Sequence, residues 1–309
     1  MATGIWEAMQ TPARAEAVMT AEGRLEVSSA VTDIGTGTLT VMTQIAADEL
    51  GLPMDAVSFK YGDSKMPFAP IQGGSFTVST VGSAVKAAGS ALRKKLFTKA
   101  QKIKGSAFSE AKLEDVEFKG GKIVLQKDPK TFISFQDIIA SNGGKPIKTT
   151  NLAMPKVFKL KKYSRAAHSA AFVEVEVDEE LGVIKVTRAL TAVAAGKIIN
   201  PKTARSQILG GMIWGISKAL QEESISDHRF GKYMNRNLAE YHIPVHADVH
   251  DLQVLFIEEQ DDIVNELGSK GVGEIGLVAI PPAITNAIFH ATGKRINDLP
   301  IHLEKTIDY

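Results

Sequence analysis

The order of predicted elements repeats along the chain, and this repeat limits the fold more than any other feature of the sequence. Alternating apolar residues, glycine turns and helical periodicity predict a hairpin, a helix, a strand, a breaker-rich loop and a second helix in each half. In the first half these elements cover residues 13–32, 41–50, 57–61, 62–74 and 75–96. In the second half they cover 169–190, 202–221, 252–257, 261–274 and the stretch after 274. The repeat predicts an internal structural duplication.

This duplication predicts an α+β fold of two units, each a mixed β-sheet with helices packed on one face. We place the first unit at 1–155, with a lysine-rich insertion from about residue 100 to 155, and the second unit at 156–309. Two copies paired about a pseudo-two-fold axis would bring the loops 62–74 and 261–274, with the turn 33–38, to one cleft. Backbone N–H groups at helix starts there would favour an anionic or polar ligand.

The overall charge gives no indication of a nucleic-acid or membrane partner. Lys and Arg total 36 against 35 Asp and Glu, so the net charge is +1. Without a broad basic surface, we expect neither nucleic acid nor an anionic membrane to bind. The chain shows neither an uninterrupted apolar run of about 18 residues nor a basic N-terminus followed by an apolar core. We therefore expect no transmembrane helix and no signal peptide.

Cysteine is absent from the sequence, which excludes disulfides, thiolate zinc sites and iron–sulfur ligation by this chain. The sequence holds seven histidines. His168, His242, His246 and His250 are better explained as surface or core residues than as a ligand set. We therefore predict no metal-ligating side chain.

A single carboxylate closes a glycine-rich segment near the C-terminus. Gly268, Gly271 and Gly273 precede Glu274, and the apolar run after it recurs at helical spacing. Glycines allow a tight turn and a close approach of backbones. Glu274 is either a charge that favours a helix start or a base in a low-dielectric pocket. The motif alone favours the structural interpretation.

Two further turns combine glycine with hydroxyl residues at predicted helix starts. One holds Gly35 and Thr36, and the other runs from Gln72 to Ser75. Each is explained by ordinary helix capping, while the pair together is equally consistent with an anion or polar ligand. Neither turn is a P-loop or a Rossmann fingerprint. Gln207, on the first turns of the second long helix, is most simply a solvent-facing residue.

Taken together, these motifs resemble the xanthine dehydrogenase/aldehyde oxidase family. The chain is similar to the C-terminal part of that family's molybdenum-cofactor subunit over nearly its whole length, apart from the lysine-rich middle. The segments that carry the resemblance follow the family's order: Asp33-Ile-Gly-Thr-Gly-Thr38, Gln44-Ile-Ala-Ala-Asp-Glu-Leu-Gly51, Gly62-Asp-Ser64, Gly73-Gly-Ser-Phe-Thr-Val-Ser-Thr80, Asn200-Pro201, Gln207-Ile-Leu-Gly-Gly211, Gly271-Val-Gly-Glu274 and Leu299-Pro300. No single segment is specific, but their combination is.

The resemblance implies a set of site residues. Glu274 matches the family's active-site glutamate and would accept a proton while water supplies the oxygen atom. The residues that match the family's cofactor-binding segments are Ile34, Gly35, Thr36, Gly73, Gly74, Ser75, Phe76, Thr77, Val78 and Gln207. Thr36 departs from the Gln of many relatives, and Gly73 and Gly74 from the paired alanines of several.

The resemblance also implies cofactors, partners and an activity. The cofactor would be molybdopterin in its cytosine dinucleotide form, with iron–sulfur clusters and FAD on partner subunits. The earlier half of the molybdenum subunit would be a further partner. The implied activity is oxidation of an aldehyde or N-heteroaromatic small molecule with water as the oxygen source. The alternative is a non-catalytic cofactor-binding or assembly module. We expect a cytoplasmic location, or a periplasmic one if a partner carries an export signal.

Overall fold

The computed structural model describes residues 1–157 and 161–307. The chain divides into two compact units that are not continuous in sequence. Unit I is Met9–Ser164 with Asp261–Ser269, and unit II is Met1–Ala8, Arg165–Gln260 and Lys270–Tyr309. This division differs from the predicted single boundary at 155/156, because the first strand belongs to unit II and the segment Asp261–Ser269 to unit I.

The predicted α+β fold is confirmed by the elements of the described residues. The strands are β1 Ala2–Glu7, β2 Ala13–Met19, β3 Leu25–Ser28, β4 Val57–Lys60, β5 Val116–Lys119, β6 Lys122–Leu125, β7 Asp128–Ser134, β8 Ile147–Ala153, β9 Ala166–Asp178, β10 Val183–Ala194, β11 Ser226–Asp227, β12 Lys232–Tyr233 and β13 Asp251–Phe256. The helices are α1 Thr38–Leu50, α2 Ser83–Gln101, α3 Phe135–Ser141, α4 Pro201–Leu220, α5 Ile275–Val278 and α6 Ile280–Thr292.

The main sheet of unit I has the strand order β4-β3-β2-β8. Strand β4 runs parallel to β3, whereas β2 is antiparallel to both of its neighbours. Alternate residues of β2 face the core, since Ala13, Ala15, Ala17 and Met19 have no exposed surface. Helix α2 covers β2 and β8, and the buried small residues Ala84, Ala88 and Gly89 of this helix allow close packing.

Unit II repeats this arrangement with the strand order β13-β10-β9-β1. Strand β13 runs parallel to β10, and β9 is antiparallel to both β10 and β1. The hairpin, helix, strand and loop-helix order is therefore the same in both units. The position equivalent to β8 is filled by β1, which comes before the hairpin instead of after the last helix. The two sheets therefore take their equivalent edge strand from different parts of the chain: β8 follows α2, whereas β1 precedes β9.

The helix boundaries follow local capping. The side chain of Asn200 accepts a hydrogen bond from the N–H of Thr203, and Pro201 opens α4. Two predicted helices differ in detail. A π-helical turn at Val78–Gly82 precedes α2, and the final helix is interrupted at Ala279, which separates α5 from α6.

The stretch Ile275–Thr292 is long and apolar enough to cross a membrane by length and composition alone. In the structure it comprises α5 and α6. Its residues Ile275, Ile280, Ile284 and Ile288 have no exposed surface and lie in the core cluster of unit II. Core helices of folded proteins pass the same test, so the stretch is weak support for a membrane span.

The end of α1 requires glycine, and this requirement can be measured. Gly51 has φ of 61°, and a Cβ built there would lie 1.9 Å from the carbonyl oxygen of Phe118. We expect Gly51→Ala to lower the free energy of unfolding by about 3 kcal/mol or more, measured by urea denaturation, because the left-handed backbone and the clash both oppose alanine.

Gly105 provides the matched control. It also has positive φ, but within the described structure no heavy atom lies within 4 Å of its built Cβ. Gly105→Ala should cost only about 1–2 kcal/mol, the backbone contribution alone. Equal losses for the two variants would contradict a role for the Phe118 contact.

Candidate functional site

Two of the predicted site segments of unit I are joined by one side chain. The amide oxygen of Gln72 accepts a hydrogen bond from the Thr32 hydroxyl at 2.6 Å, and its amide nitrogen donates to the Thr38 hydroxyl at 3.0 Å. Gln72 therefore links the loop before α2 to the turn before α1. The structure brings residues 34–36 and 73–78 to the same region of unit I.

The turn before α1 is capped by its own carboxylate. Asp33 accepts hydrogen bonds from the N–H groups of Gly35 at 3.0 Å and Leu39 at 3.2 Å. Because the Asp33 carboxylate already accepts hydrogen bonds from these N–H groups, they are not available to a phosphate. The turn is therefore better explained by helix capping than by a phosphate site. The side chain that the turn offers a ligand is uncharged: the half-buried Thr36, whose hydroxyl lies 3.0 Å from that of the buried Thr38.

The loop before α2 adopts an unusual backbone. Gly74 and Ser75 both have left-handed φ, of 66° and 60°. Of the residues that the structure describes, Ser75 is the one non-glycine residue with positive φ. Such a conformation costs about 1–3 kcal/mol and tends to occur at functional sites. The strain coincides with a segment that the sequence assigned to cofactor binding.

The side chain of Phe76 belongs to the core of unit I. It is 5% exposed, and a Cβ built at Gly74 would lie 3.3 Å from the Phe76 ring. Only the backbone of Phe76 is therefore available to a cofactor. The side chain fixes the loop instead, by filling the core below it.

The π-helical turn Val78–Gly82 is a feature that the sequence analysis missed. The Ser79 hydroxyl lies 2.6 Å from the carbonyl oxygen of Met9 and 3.0 Å from that of Phe76, and the Ser83 hydroxyl donates to the carbonyl of Ser79 at 2.6 Å. Buried serines thus replace part of the regular helical bonding. Turns of this kind are frequent at functional sites, although hydrophobic periodicity and capping residues do not identify them.

The solvent-facing side of these loops is open in the described structure. No described heavy atom lies within 4 Å of a Cβ built at Gly35 or Gly73, and Ile34 is 68% exposed. A rigid polar ring could approach the backbone closely at both glycines.

In unit II, Glu274 lies at the junction of the glycine loop and α5. It is half-buried, and its carbonyl oxygen accepts from the N–H of Leu277 at 3.0 Å. Two residues after it, a Cβ built at Gly276 would lie 2.8 Å from the carbonyl oxygen of Ile208 in α4. The half-buried Gln207 precedes Ile208, so the helix that carries Gln207 contacts the helix that follows Glu274.

A separate cleft of unit II contains none of the predicted site residues. It has a volume of about 870 Å³ and is lined in part by Phe172, Glu174, Arg188 and His290. Hydrogen bonds from the Thr187 hydroxyl and then the charge and hydrogen bond of Arg188 hold the pKa of Glu174 below its ordinary value. The contacts with Thr187 and Arg188 place Glu174 in the hydrogen-bonded wall of the cleft.

The four histidines of the sequence analysis, His168, His242, His246 and His250, are all exposed. Across residues 1–157 and 161–307, no group of three or more His, Asp or Glu residues could hold a metal ion. The candidate site residues thus comprise glycine-rich backbone, uncharged polar and apolar side chains and one half-buried carboxylate.

Comparison with known proteins identifies relatives of this chain. Residues 1–250 match the model of the molybdopterin cofactor-binding domain. The chain is 37% identical to PaoC, the molybdenum-binding subunit of aldehyde oxidoreductase from Escherichia coli, over 93% of this chain and 37% of the relative. It is 32% identical to a probable xanthine dehydrogenase subunit of Bacillus subtilis, over 94% of this chain and 38% of the relative.

A solved structure shows the same fold. Quinoline 2-oxidoreductase from Pseudomonas putida matches with a TM-score of 0.85 and 24% identity, over 98% of this chain and 41% of that chain. The chain therefore spans only about two fifths of the length of the proteins it resembles.

The contact between α4 and α5 can be tested with two adjacent glycines. A Cβ at Gly211 would lie 3.0 Å from backbone atoms of Gly276 and Leu277, whereas a Cβ at Gly210 would have no described atom within 4 Å. We expect Gly211→Ala to lower the free energy of unfolding by about 1–3 kcal/mol, because the added methyl group forces the helices apart.

The neighbouring substitution should act in the opposite direction. Gly210→Ala is expected to raise the free energy of unfolding by about 0.5–1 kcal/mol, since alanine is the better helix former. Urea denaturation of the two variants measures both changes in the free energy of unfolding. Stabilisation by both variants would show that the helices do not depend on close backbone contact.

Proposed function

Because the chain belongs to the family of molybdopterin cofactor-binding domains, we propose that it is part of the molybdenum-binding subunit of a hydroxylase. The enzyme would oxidise an aldehyde or an N-heteroaromatic compound with water as the oxygen source. The two named relatives belong to an aldehyde oxidoreductase and a probable xanthine dehydrogenase, and they support these two substrate classes. The family match over residues 1–250 is the observation that carries the proposal.

The proposed cofactor contacts fit the residues present. In unit I they are Ile34, Gly35, Thr36, Gly73, Gly74, Ser75, Phe76, Thr77 and Val78, and in unit II Gln207. Molybdopterin carries a polar fused ring, which requires hydrogen-bonding groups of no net charge and a backbone that allows close approach. The open glycines and the strained Gly74–Ser75 peptide of unit I meet this need. Phe76 would contribute its backbone alone.

When bound, the cofactor supplies a molybdenum centre that takes up two electrons from the substrate. Because the cofactor's own dithiolene would hold the metal, the proposal requires no metal-ligating side chain in this chain.

Glu274 is the proposed general base of the reaction. Its place at the start of α5, with Ile275 fully buried behind it, fixes the backbone of Glu274 within unit II. A base held at one position can accept a proton without first losing side-chain freedom. In this role the carboxylate would orient the attacking water-derived oxygen and remove its proton.

The remaining parts of the assembly follow from the length of the relatives. This chain spans 37% of PaoC, and the activity would need the rest of the molybdenum-binding subunit. The relatives are named as subunits, which supports partner chains. The proposal assigns iron–sulfur clusters and a flavin for electron transfer to those chains. The proposal also includes the cytosine dinucleotide form of the cofactor and a cytoplasmic location.

A non-catalytic module for cofactor binding or assembly is the second candidate. It would use the same glycine loops of unit I and the same Gln207, because these residues could hold a cofactor with or without turnover. The two candidates differ in whether Glu274 takes part in turnover.

Substitution of Glu274 tests the proposal. In the assembly of this chain with the rest of the molybdenum-binding subunit, Glu274→Gln should lower kcat by about 10²–10⁴-fold, because the amide cannot accept the proton. Molybdenum and pterin content, measured by elemental analysis and mass spectrometry, should stay at the wild-type level.

Glu266→Gln is the matched control, because Glu266 is an exposed carboxylate eight residues earlier, where it pairs with Lys156. It should leave kcat unchanged. Wild-type turnover by Glu274→Gln would exclude the catalytic role. An assembly that holds the cofactor but oxidises no aldehyde or N-heteroaromatic would support the non-catalytic module.

A further inference from the structure

A lysine of the glycine-rich segment is buried in an ion pair that the proposed reaction does not use. The Lys270 ammonium lies 2.5 Å from the carboxylate of Glu259, and the two side chains are 6% and 29% exposed. Burial of a lysine costs free energy unless it is paired and hydrogen-bonded. Apolar residues of similar size would fill this position at no electrostatic cost, so the pair requires an explanation other than packing.

The pair closes a ring of hydrogen bonds around one peptide group. The backbone N–H of Lys270 donates to the carbonyl of Ala195 at 2.9 Å. The N–H of the same peptide unit, contributed by Gly196, donates to the second oxygen of the Glu259 carboxylate at 2.7 Å. Both sides of this peptide, just past the end of β10, are therefore held by residues 259 and 270.

The ring lies where the chain leaves unit II and where it returns. The segment between the two residues, Asp261–Ser269, belongs to unit I, and we call it the arm. The arm is fixed by its own bonds. Asp261 accepts from the N–H groups of Ile263 and Val264, and the Asn265 amide donates to the Ser269 carbonyl at 2.6 Å. The ion pair thus sets the point from which the chain re-enters unit II.

The residues after Lys270 connect the ion pair to Glu274. Gly271 is buried, Val272 packs on the core cluster of unit II, and Ile275 is fully buried. Glycine at 271 and 273 leaves the backbone of this stretch few side-chain contacts to define its path. The two ends of this stretch are held by the Lys270–Glu259 ion pair on one side and by the α4–α5 contact on the other.

We propose that Lys270 is a positioning residue. Its ion pair with Glu259 fixes the orientation of the loop 271–274 and so the direction of the Glu274 carboxylate. The inference rests on the proposed function for its catalytic consequence, but the ordering of the loop is a property of the chain itself and can be measured without turnover.

Hydrogen exchange tests the ordering of the loop. In the 309-residue chain, Lys270→Met should increase the exchange rate of the amides at 271–275 at least about tenfold, measured by mass spectrometry on overlapping peptides. Lys156→Met is the matched control, because it removes an ion pair of the same arm, to Glu266, whose side chains are 59% and 51% exposed. An exposed pair contributes little, so this variant should exchange at the wild-type rate.

The double variant separates positioning from stability. Lys270→Met alone leaves the Glu259 carboxylate without its cation, whereas Lys270→Met with Glu259→Gln removes both charges. We expect the double variant to recover most of the loss in denaturation midpoint while the loop amides still exchange at least about tenfold faster than in wild type. Wild-type exchange in the double variant would overturn the proposal and assign the pair to stability alone.

Kinetics of the complete assembly tests the catalytic consequence. The double variant should lower kcat at least about tenfold with KM and cofactor content unchanged, since substrate binding is intact and only the base is misaligned. Fast exchange together with wild-type kcat would overturn the link between loop order and Glu274. If Glu274→Gln itself keeps wild-type turnover, the proposed function fails, whereas the exchange result on the loop stands separately.

Discussion

The position of Glu274 depends on a backbone contact between α4 and α5 that only glycine permits. Gly211 and Gly276 lie at this contact, and a Cβ on either would lie 3.0 Å or less from main-chain atoms of the other helix. Helices usually pack through side chains at interaxial distances of roughly 8–10 Å. Removal of the side chains at this crossing places the start of α5, and with it Glu274, directly against the helix that carries Gln207.

The rest of each unit provides rigid support for a loop. In both units, one strand pairs in parallel with a strand of an antiparallel hairpin. A glycine-rich loop follows this strand, and then a helix that packs on the sheet. Unit I braces its loop with Gln72 and with the buried Phe76. Unit II braces its loop with Lys270 and Glu259. Rigid elements hold functional groups more accurately than free loops, and both units use this arrangement.

Many of these features could be predicted from local sequence. The hairpin at β9–β10, the start of α4 at Asn200-Pro201 and the end of α1 at Gly51 follow from alternation and capping residues that act within one or two turns of chain. The candidate site residues came from the resemblance and stay a prediction, and capping chemistry explained the turn at Asp33. The π-helical turn, the third strand of the β5–β7 sheet and β8 lacked a local signal strong enough to predict them.

By itself, the sequence determined the α+β class and the duplicated order of elements, because turn chemistry and hydrophobic periodicity act over short distances. The family and the set of candidate residues came from the resemblance of its motifs to known proteins. Only the tertiary structure decided that β1 completes the sheet of unit II, that the arm belongs to unit I and that Lys270 pairs with Glu259 against the end of β10. These contacts join residues from separate elements of the chain. They form because burial and hydrogen-bond satisfaction are decided by the whole packed unit.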